Sequence, residues 1–349
     1  MFFLGISILI LAVMLYFVGI DQVINALKVA NLTIIVLAIL VQIFTYFLYT
    51  LRWKILNDIA DIDVGIKKLL PIVLVGLAVN NITPSGRGGG EPVRAYILAR
   101  EKDYPMEDTF ATVVADRALD TFPFIVLAVI TIIAMILYFD IETWLIAVMV
   151  LAVIAIVAVL LILIYMCINP SFGNRVEGWI LKLVRRFYRK NNDEFESKIH
   201  DIIFGFQNTM KDLISNRKVL YYTIPLSFLI WVFEIIRVYL VFLAFGADVN
   251  FIIIGEVFIV ASLVGMIPLL PGGLGAVDGL MIIFYTSAGV SPSISAAATV
   301  IERLISFWMA TIAGLVILPY YGSSILDRIS FSSSSDELEK SLEEDLNEK

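Results

Sequence analysis

Two glycine-rich segments carry the residue types best suited to hold an anion. The first contains four glycines and two arginines: Gly86, Gly88, Gly89, Gly90, Arg87 and Arg94. Glycines let successive backbone N–H groups turn toward an anion, and a guanidinium grips a phosphate through two parallel hydrogen bonds. We therefore predict that these six residues bind a phosphate group.

Acidic residues accompany these arginines. Glu91 precedes Pro92, at a helix start where the helix dipole favours an acid. Asp116 and Asp120 lie four residues apart on one helix face, and Arg117 can reach Asp120. Two interpretations remain open for these carboxylates. They either neutralise nearby arginines in a polar network or contact the ligand and couple its movement to protons.

The second glycine-rich segment repeats the first at one constant offset along the chain. The matching pairs are Pro84 and Pro271, Gly86 and Gly273, Gly88 and Gly275, and Glu91 and Asp278. After a shift of one position, the acid–arginine pair of the first half matches Glu302 and Arg303. So many matches in one register indicate an internal duplication.

The duplication assigns roles to the remaining residues of both segments. We expect five of them to shape the two loops: Pro84, Pro271, Gly272, Gly273 and Gly275. Asp278, Glu302 and Arg303 are expected to extend the polar network into the second half. Glu234 and Arg237, three residues apart, form one further internal pair.

Membrane helices must position these residues. Hydrophobic residues make up 60% of the 349-residue chain and charged residues 16%, against about 45–50% and about 25% in soluble domains. A bilayer span needs about 20 apolar residues. Six stretches qualify: 2–20, 32–51, 121–139, 144–168, 221–245 and 299–321. The predicted fold class is an all-α polytopic membrane protein.

Two further apolar regions, 69–100 and 251–290, are interrupted by the glycine-rich segments. Irregular backbone is tolerated at membrane depth only inside protein or beside water. We therefore predict two re-entrant hairpins. Each half then reads span, hairpin, span, with repeat one at 32–139 and repeat two at 221–321.

Lysine and arginine in the loops predict the orientation of the spans. Segment 169–218 has ten, and segment 52–68 has four, including Arg52; both are assigned to the cytoplasm, with segment 94–102 beside them. Both chain termini are predicted to be cytoplasmic in the cell membrane. The repeats are then inverted, an arrangement typical of transporters.

The remaining segments are the basic loop 169–218 and the tail 326–349, outside a membrane domain at 1–325. The loop shows two helical apolar patterns, and its helices either lie on the membrane surface or pack on the cytoplasmic side of the protein. The tail holds five of the seven net negative charges of the chain and is expected to be disordered.

Several functions are excluded by composition. One cysteine and one histidine cannot form a Cys/His metal cluster. Gly86 to Gly90 is not followed by Lys-Ser/Thr, so it is not an NTPase phosphate-binding loop. No catalytic motif, cofactor, metal or nucleic-acid partner is predicted.

The pattern from Thr83 to Tyr96, with its three consecutive glycines and Arg94, resembles the signature of flippase-like membrane proteins. These are related to the transmembrane region of lysylphosphatidylglycerol synthase. Asp116-Arg117-x-x-Asp120 is similar to the acid–arginine motif of that family, and the segment from Pro271 to Gly275 resembles its second loop. Bifunctional relatives add an aminoacyl-transferase domain, which is not expected here.

The resemblance implies translocation of lipids between leaflets. We expect the substrate to be an anionic phospholipid or a polyprenyl-phosphate-linked lipid. Two alternatives remain open: a membrane-embedded enzyme that modifies lipid head groups or glycans, and an assembly partner of a lipid-modifying enzyme or glycosyltransferase.

Overall fold

The computed structural model describes residues 24–25, 28–83, 88–101, 103–138, 142–169, 171–172, 175, 178–179, 182, 193–266 and 273–321. The predicted span 2–20, the tail 326–349 and five predicted loop residues lie outside these ranges. Those five residues are Pro84, Gly86, Arg87, Pro271 and Gly272.

Within the described ranges every regular element is a helix. The α-helices are α1 (Leu32–Ile59), α2 (Ile66–Ile82), α3 (Glu91–Glu101), α4 (Met106–Tyr138), α5 (Thr143–Ile168), α6 (Asp193–Ser215), α7 (Ile224–Ala244), α8 (Phe251–Gly265), α9 (Ala276–Ser287) and α10 (Pro292–Arg303). A π-helical turn, Val219–Thr223, leads into α7. A second, Leu304–Trp308, continues α10 into a helix that reaches Tyr321.

Five helical stretches of the described chain are long and apolar enough to cross a bilayer. They are Leu32–Ile59, Met106–Leu137, Ile146–Cys167, Val219–Ala244 and Pro292–Tyr321. These correspond to five of the six predicted spans, and the sixth lies outside the described residues. The prediction of an all-α polytopic membrane protein is confirmed.

The ends of the predicted spans need correction. The predicted span 32–51 is too short, because α1 continues to Ile59 and Arg52 within it is only 1% exposed. Arg94, counted with the cytoplasmic cations, also lies inside a helix and is paired. Because both arginines are enclosed and paired with Asp116, they do not count as charges at the membrane surface. The predicted orientation therefore depends on the lysines of segment 52–68, on Arg100 and on segment 169–218.

Each glycine-rich segment lies between two helices that pack on each other. The pairs are α2 with α3 and α8 with α9. In the first pair, a Cβ at Gly90 would lie 2.0 Å from the Gly76 carbonyl oxygen, so the contact requires glycine. Whether either helix pair re-enters the bilayer from one face stays a prediction.

The leading spans of the two predicted repeats, α1 and α7, make the most extensive contact between any two described helices. Buried side chains of α7, including Val238 and Phe242, pack with Ala38 of α1 and with residues of α8, α9 and α10. A separate cluster joins Trp53 of α1 to α2 and α3. Each buried hydrophobic cluster of the described residues contains at least one residue of α1 or α7.

Helix α6 contains the second apolar pattern of the basic loop, at residues 199–213. Its Met210 and Leu213 are buried against Leu56, Ala115 and Cys167. One face of this helix therefore packs against the protein, whereas Ile202 and Phe204 stay exposed, and a position on the membrane surface stays a prediction. The first pattern of the loop, from residue 176 to 187, falls mostly outside the described residues.

The native cysteine reports directly on this packing. Cys167, the only cysteine of the chain, is buried beneath α6. We expect a polar maleimide to leave it unmodified in the folded protein in detergent. Leu213→Glu should expose it, because a buried carboxylate would push α6 away.

The matched control is Ile214→Glu, since Ile214 is 46% exposed on the same helix. It should leave Cys167 protected. Equal modification of both variants, measured by intact-mass spectrometry, would contradict the packing of α6.

Candidate functional site

A cavity of about 150 Å³ lies at the centre of the described helices. It is lined by five arginines and five carboxylates from both predicted repeats: Arg52, Arg94, Arg117, Arg237, Arg303, Glu91, Asp116, Asp120, Glu234 and Glu302. Charges at membrane depth cost roughly 2.5–3.5 kcal/mol each even on the more lenient scale. Their balance and pairing make such a lining possible.

Arg52 of α1 is the most enclosed cation of the first half. Its Nε donates to Asp116 Oδ1 at 2.8 Å, and its Nη1 donates to Asp120 Oδ1 at 3.1 Å. The same Nη1 donates to the Ser227 hydroxyl of α7 at 3.2 Å. Arg52 therefore joins the acidic motif of α4 to the opposite half.

Arg94 of α3 also binds Asp116. Both of its terminal nitrogens lie 3.0 Å from Asp116 Oδ2. Its guanidinium carbon lies 4.2 Å from the centre of the Trp53 ring, a cation–π distance. Its Nε is buried without a hydrogen-bond partner among the described residues. Arg94 is thus held by protein groups on its terminal nitrogens.

Asn80, near the end of α2, organises the start of α3. Its side-chain oxygen accepts from the Gly90 N–H at 2.6 Å, and its nitrogen donates to Glu91 Oε1 at 3.3 Å. The Gly90 N–H, predicted to face a phosphate, is therefore engaged by Asn80. Glu91 Oε2 is buried with no hydrogen-bond partner among the described residues.

Arg117 has the longest ion-pair distances among the cavity arginines of the first half. Its Nε lies 3.9 Å from Glu91 Oε1 and its Nη1 lies 3.6 Å from Asp120 Oδ2. Its side chain is 32% exposed, against 2% for Arg52 and 11% for Arg94. Among these three, Arg117 has the weakest ion pairs and the best access for a ligand.

Arg237 of α7 holds the second half together. It donates to Glu302 Oε1 at 2.6 Å and also binds Glu234 and the Gln42 side chain of α1. The predicted Glu234–Arg237 pair is therefore present, and it belongs to a larger network.

Asp278 stands behind the cavity lining, at the start of α9. One oxygen accepts from the Gly275 N–H at 2.7 Å, and the other lies 2.7 Å from Arg303 Nε. Gly275 has a φ of 83°, a conformation that favours glycine. The acid therefore fixes the second glycine turn and neutralises one arginine.

The two leading spans contact each other reciprocally. Arg52 of α1 donates to Ser227 of α7, and Arg237 of α7 binds Gln42 of α1. One constant offset along the chain matches Arg52 with Arg237 and also matches Gln42 with Ser227. Each arginine therefore contacts the equivalent of the other arginine's polar partner. Reciprocal contacts between equivalent residues are characteristic of two copies related by a two-fold rotation.

The ion pairs within each half correspond as well. In each half the leading-span arginine binds the acid of the acid–arginine motif, and the motif arginine faces the acid that follows the glycine loop. The matching pairs are Arg52–Asp116 with Arg237–Glu302, and Arg117–Glu91 with Arg303–Asp278.

Residues 2–314 match the family model described as "Lysylphosphatidylglycerol synthase TM region". The chain belongs to this family. A UPF0104 membrane protein of Methanothermobacter thermautotrophicus is 51% identical over 93% of this chain and 96% of its own length. One from Methanocaldococcus jannaschii is 33% identical over 88% of this chain and 90% of its own. The resemblance inferred from the sequence is confirmed.

A more distant relative is the protein named "Glycosyltransferase AglD" in Haloferax volcanii. It is 22% identical over 88% of this chain and 52% of its own length. The two more similar relatives are named only as membrane proteins. Together with the five candidate spans, the family match makes this chain a multi-pass membrane protein of the lysylphosphatidylglycerol synthase TM-region family.

The two halves of this family member differ in charge at the cavity. The register that aligns the two glycine-rich segments places Met281 opposite Arg94. The register that aligns the two acid–arginine motifs places Ser306 opposite Asp120. Met281 and Ser306 both line the cavity, where they replace an arginine and a carboxylate of the first half. Corresponding ion pairs are therefore present in both halves, whereas the other groups that line the cavity differ between them.

The structure brings together seven predicted residues of the polar network around one cavity: Glu91, Asp116, Arg117, Asp120, Asp278, Glu302 and Arg303. Arg94 joins them. Gly88 is exposed beside α3, and Gly89 next to it is half-buried. Sequence reasoning missed Gln42, Asn80 and Ser227, and it assigned Arg52 to a loop. The sequence did offer one signal for these residues, because each is a polar residue within an apolar stretch.

Removing a central arginine should be far more damaging than removing a partly exposed lysine of the same helix. Arg52→Leu leaves Asp116 and Asp120 without their closest cation, and breaking a buried pair this way costs about 3–5 kcal/mol. Lys54→Ala breaks a partly exposed pair with Asp58, worth about 0.5 kcal/mol or less.

Denaturant unfolding of both variants in detergent measures the difference. Arg52→Lys, which keeps the charge, is expected to lie between the two. Equal stability of Arg52→Leu and Lys54→Ala would contradict the structural role of Arg52.

Proposed function

We propose that this protein translocates a phosphate-bearing lipid between the leaflets of the membrane. The substrate class is an anionic phospholipid or a polyprenyl-phosphate-linked lipid. One observation carries the proposal: a charged cavity within an otherwise apolar helical protein, lined by equivalent ion pairs from two halves.

A static scaffold has little use for ten charged groups around one cavity. Replacing a buried ion pair by apolar residues is often neutral or stabilising. Retaining so many charges fits a polar route for a head group, which would otherwise have to cross hydrocarbon.

Arg117 is the proposed phosphate contact among the described arginines. Its ion pairs are the longest of the first half and its side chain is accessible. A phosphate can replace these two weak partners, because Asp120 keeps its ion pair with Arg52 and Glu91 keeps the hydrogen bond from Asn80. The buried Nε of Arg94 offers a second donor. Arg87 of the adjoining loop stays a proposed contact from the sequence.

Movement of the head group would use the duplication. Two packings of similar free energy are available when equivalent contacts can form on either side of an interface. The reciprocal bonds of Arg52 and Arg237 support this relation between α1 and α7. The two repeats are proposed to have opposite orientations in the cell membrane, with both chain termini cytoplasmic. Each glycine-rich helix pair would then open toward a different face of the membrane.

A second candidate follows from the name of the Haloferax relative. The protein would then act beside a glycosyltransferase, or modify a lipid head group itself. Mass spectrometry of lipids after incubation with the purified protein separates the candidates, because translocation leaves the lipid mass unchanged.

Leaflet exchange in reconstituted vesicles tests the proposal. We expect the protein to accelerate exchange of a fluorescent phosphatidylglycerol, read as quenching by an impermeant reductant. Arg117→Gln should slow exchange by about tenfold or more, since a charge-assisted hydrogen bond contributes about 1.5–3 kcal/mol. Arg94→Gln should slow it less, because its terminal nitrogens already bind Asp116.

Lys54→Ala is the control, because it removes a cation from the end of α1 outside the cavity lining. It should exchange lipid at the unaltered rate. Unchanged exchange in both Arg117→Gln and Arg94→Gln, with folded protein by size-exclusion chromatography, would remove the proposed head-group site.

A further inference from the structure

A second, larger cavity of about 590 Å³ lies beside the charged one. We call it the side groove. Its walls come from α4, α5 and the end of α8, and they are mostly apolar: Val114, Ala118, Ala152, Ala155, Ile156, Val159, Leu160, Leu163, Leu263 and Met266. Its volume falls within the roughly 300–1,000 Å³ typical of ligand sites.

Small side chains create this space. Ala118 of α4 and Ala152 and Ala155 of α5 line the side groove where larger residues would fill it. Helix α5 is the least buried of the candidate spans. Val159 on the groove wall is 58% exposed and Leu163 is 38% exposed. The groove is therefore open along α5, on the side that an apolar span turns toward lipid.

The side groove and the charged cavity meet at two residues. Glu91 and Arg117 line both. Apart from these two and Thr121, the lining of the side groove is apolar. The polarity thus changes abruptly at the Glu91–Arg117 pair, with charges on one side and hydrocarbon on the other.

The Glu91–Arg117 boundary also holds unused hydrogen-bonding capacity. Glu91 is 9% exposed, and its Oε2 has no hydrogen-bond partner among the described residues. An unsatisfied buried carboxylate oxygen costs free energy unless a donor reaches it. Arg117 beside it has only long ion pairs. A ligand with a phosphate and a neighbouring hydroxyl or amine satisfies both groups.

We propose that the side groove binds one hydrocarbon chain of the phosphate lipid whose head group sits at Arg117. The lipid thereby enters sideways between α4 and α5, with its polar end in the charged cavity and its chain in the groove. This inference rests on the proposed function and names the path by which the substrate reaches the site.

Photolabelling measures chain binding separately from transport. The full-length protein in lipid nanodiscs receives trace phosphatidylglycerol with a diazirine on one acyl chain, and labelled peptides are mapped by mass spectrometry. We expect labels on the groove-facing parts of α4 and α5. A diazirine-bearing diacylglycerol, which lacks the phosphate, should label the groove much less.

Ala155→Phe should reduce labelling of the side groove by about tenfold, because the phenyl ring would occupy the space proposed for the hydrocarbon chain. Ala158→Phe is the matched control. Ala158 is equally an exposed alanine of α5 and lies outside the groove lining, so its replacement should leave labelling unchanged.

Three results would overturn the groove proposal: no label on α4 or α5, equal labelling by the two probes, or equal labelling of the two phenylalanine variants. If vesicle exchange persists in any of these cases, the lipid reaches the charged cavity by another route. If exchange is absent while the groove is labelled specifically, the protein binds lipid without translocating it.

Discussion

The buried arginines of the leading spans are the interaction on which the rest of the structure depends. Arg52 and Arg237 are each 1% exposed, and each binds acids of its own half and a polar side chain of the other. A guanidinium can do this because it offers five donors in a rigid fork. The same two residues therefore hold the acid–arginine motifs, cross the interface between α1 and α7, and supply two of the five positive charges that line the cavity.

Much of the fold was predictable because hydrophobic length is a strong signal in membrane proteins. Five spans and the helix pairs around both glycine segments agree with the expected positions. Span ends were less predictable. A charge ends an apolar window, so Arg52 marked a boundary in the sequence, whereas its pairing with Asp116 lets α1 continue to Ile59.

The site was predictable in its members and less so in its connections. The duplicated motif identified six of the seven network residues, and the spacing from Asp116 added Asp120, because charged residues survive in spans mainly where they are paired or functional. The motif could not identify which arginine pairs with which carboxylate. Arg94 binds Asp116 and Gly90 binds Asn80, whereas the sequence assigned both to a phosphate. Such choices depend on distances across helices, which no local pattern contains. The side groove, lined by scattered alanines and larger apolar residues, has no sequence motif.

Accessibility of the two glycine turns tests the central claim, that two opposed halves share one charged cavity. In a Cys167→Ser background, Gly88→Cys and Ala276→Cys each place a thiol at an exposed position beside one turn. An impermeant maleimide applied to sealed vesicles of known orientation should modify Gly88→Cys from the cytoplasmic face only and Ala276→Cys from the outer face only. Modification of both positions from the same face would contradict the arrangement.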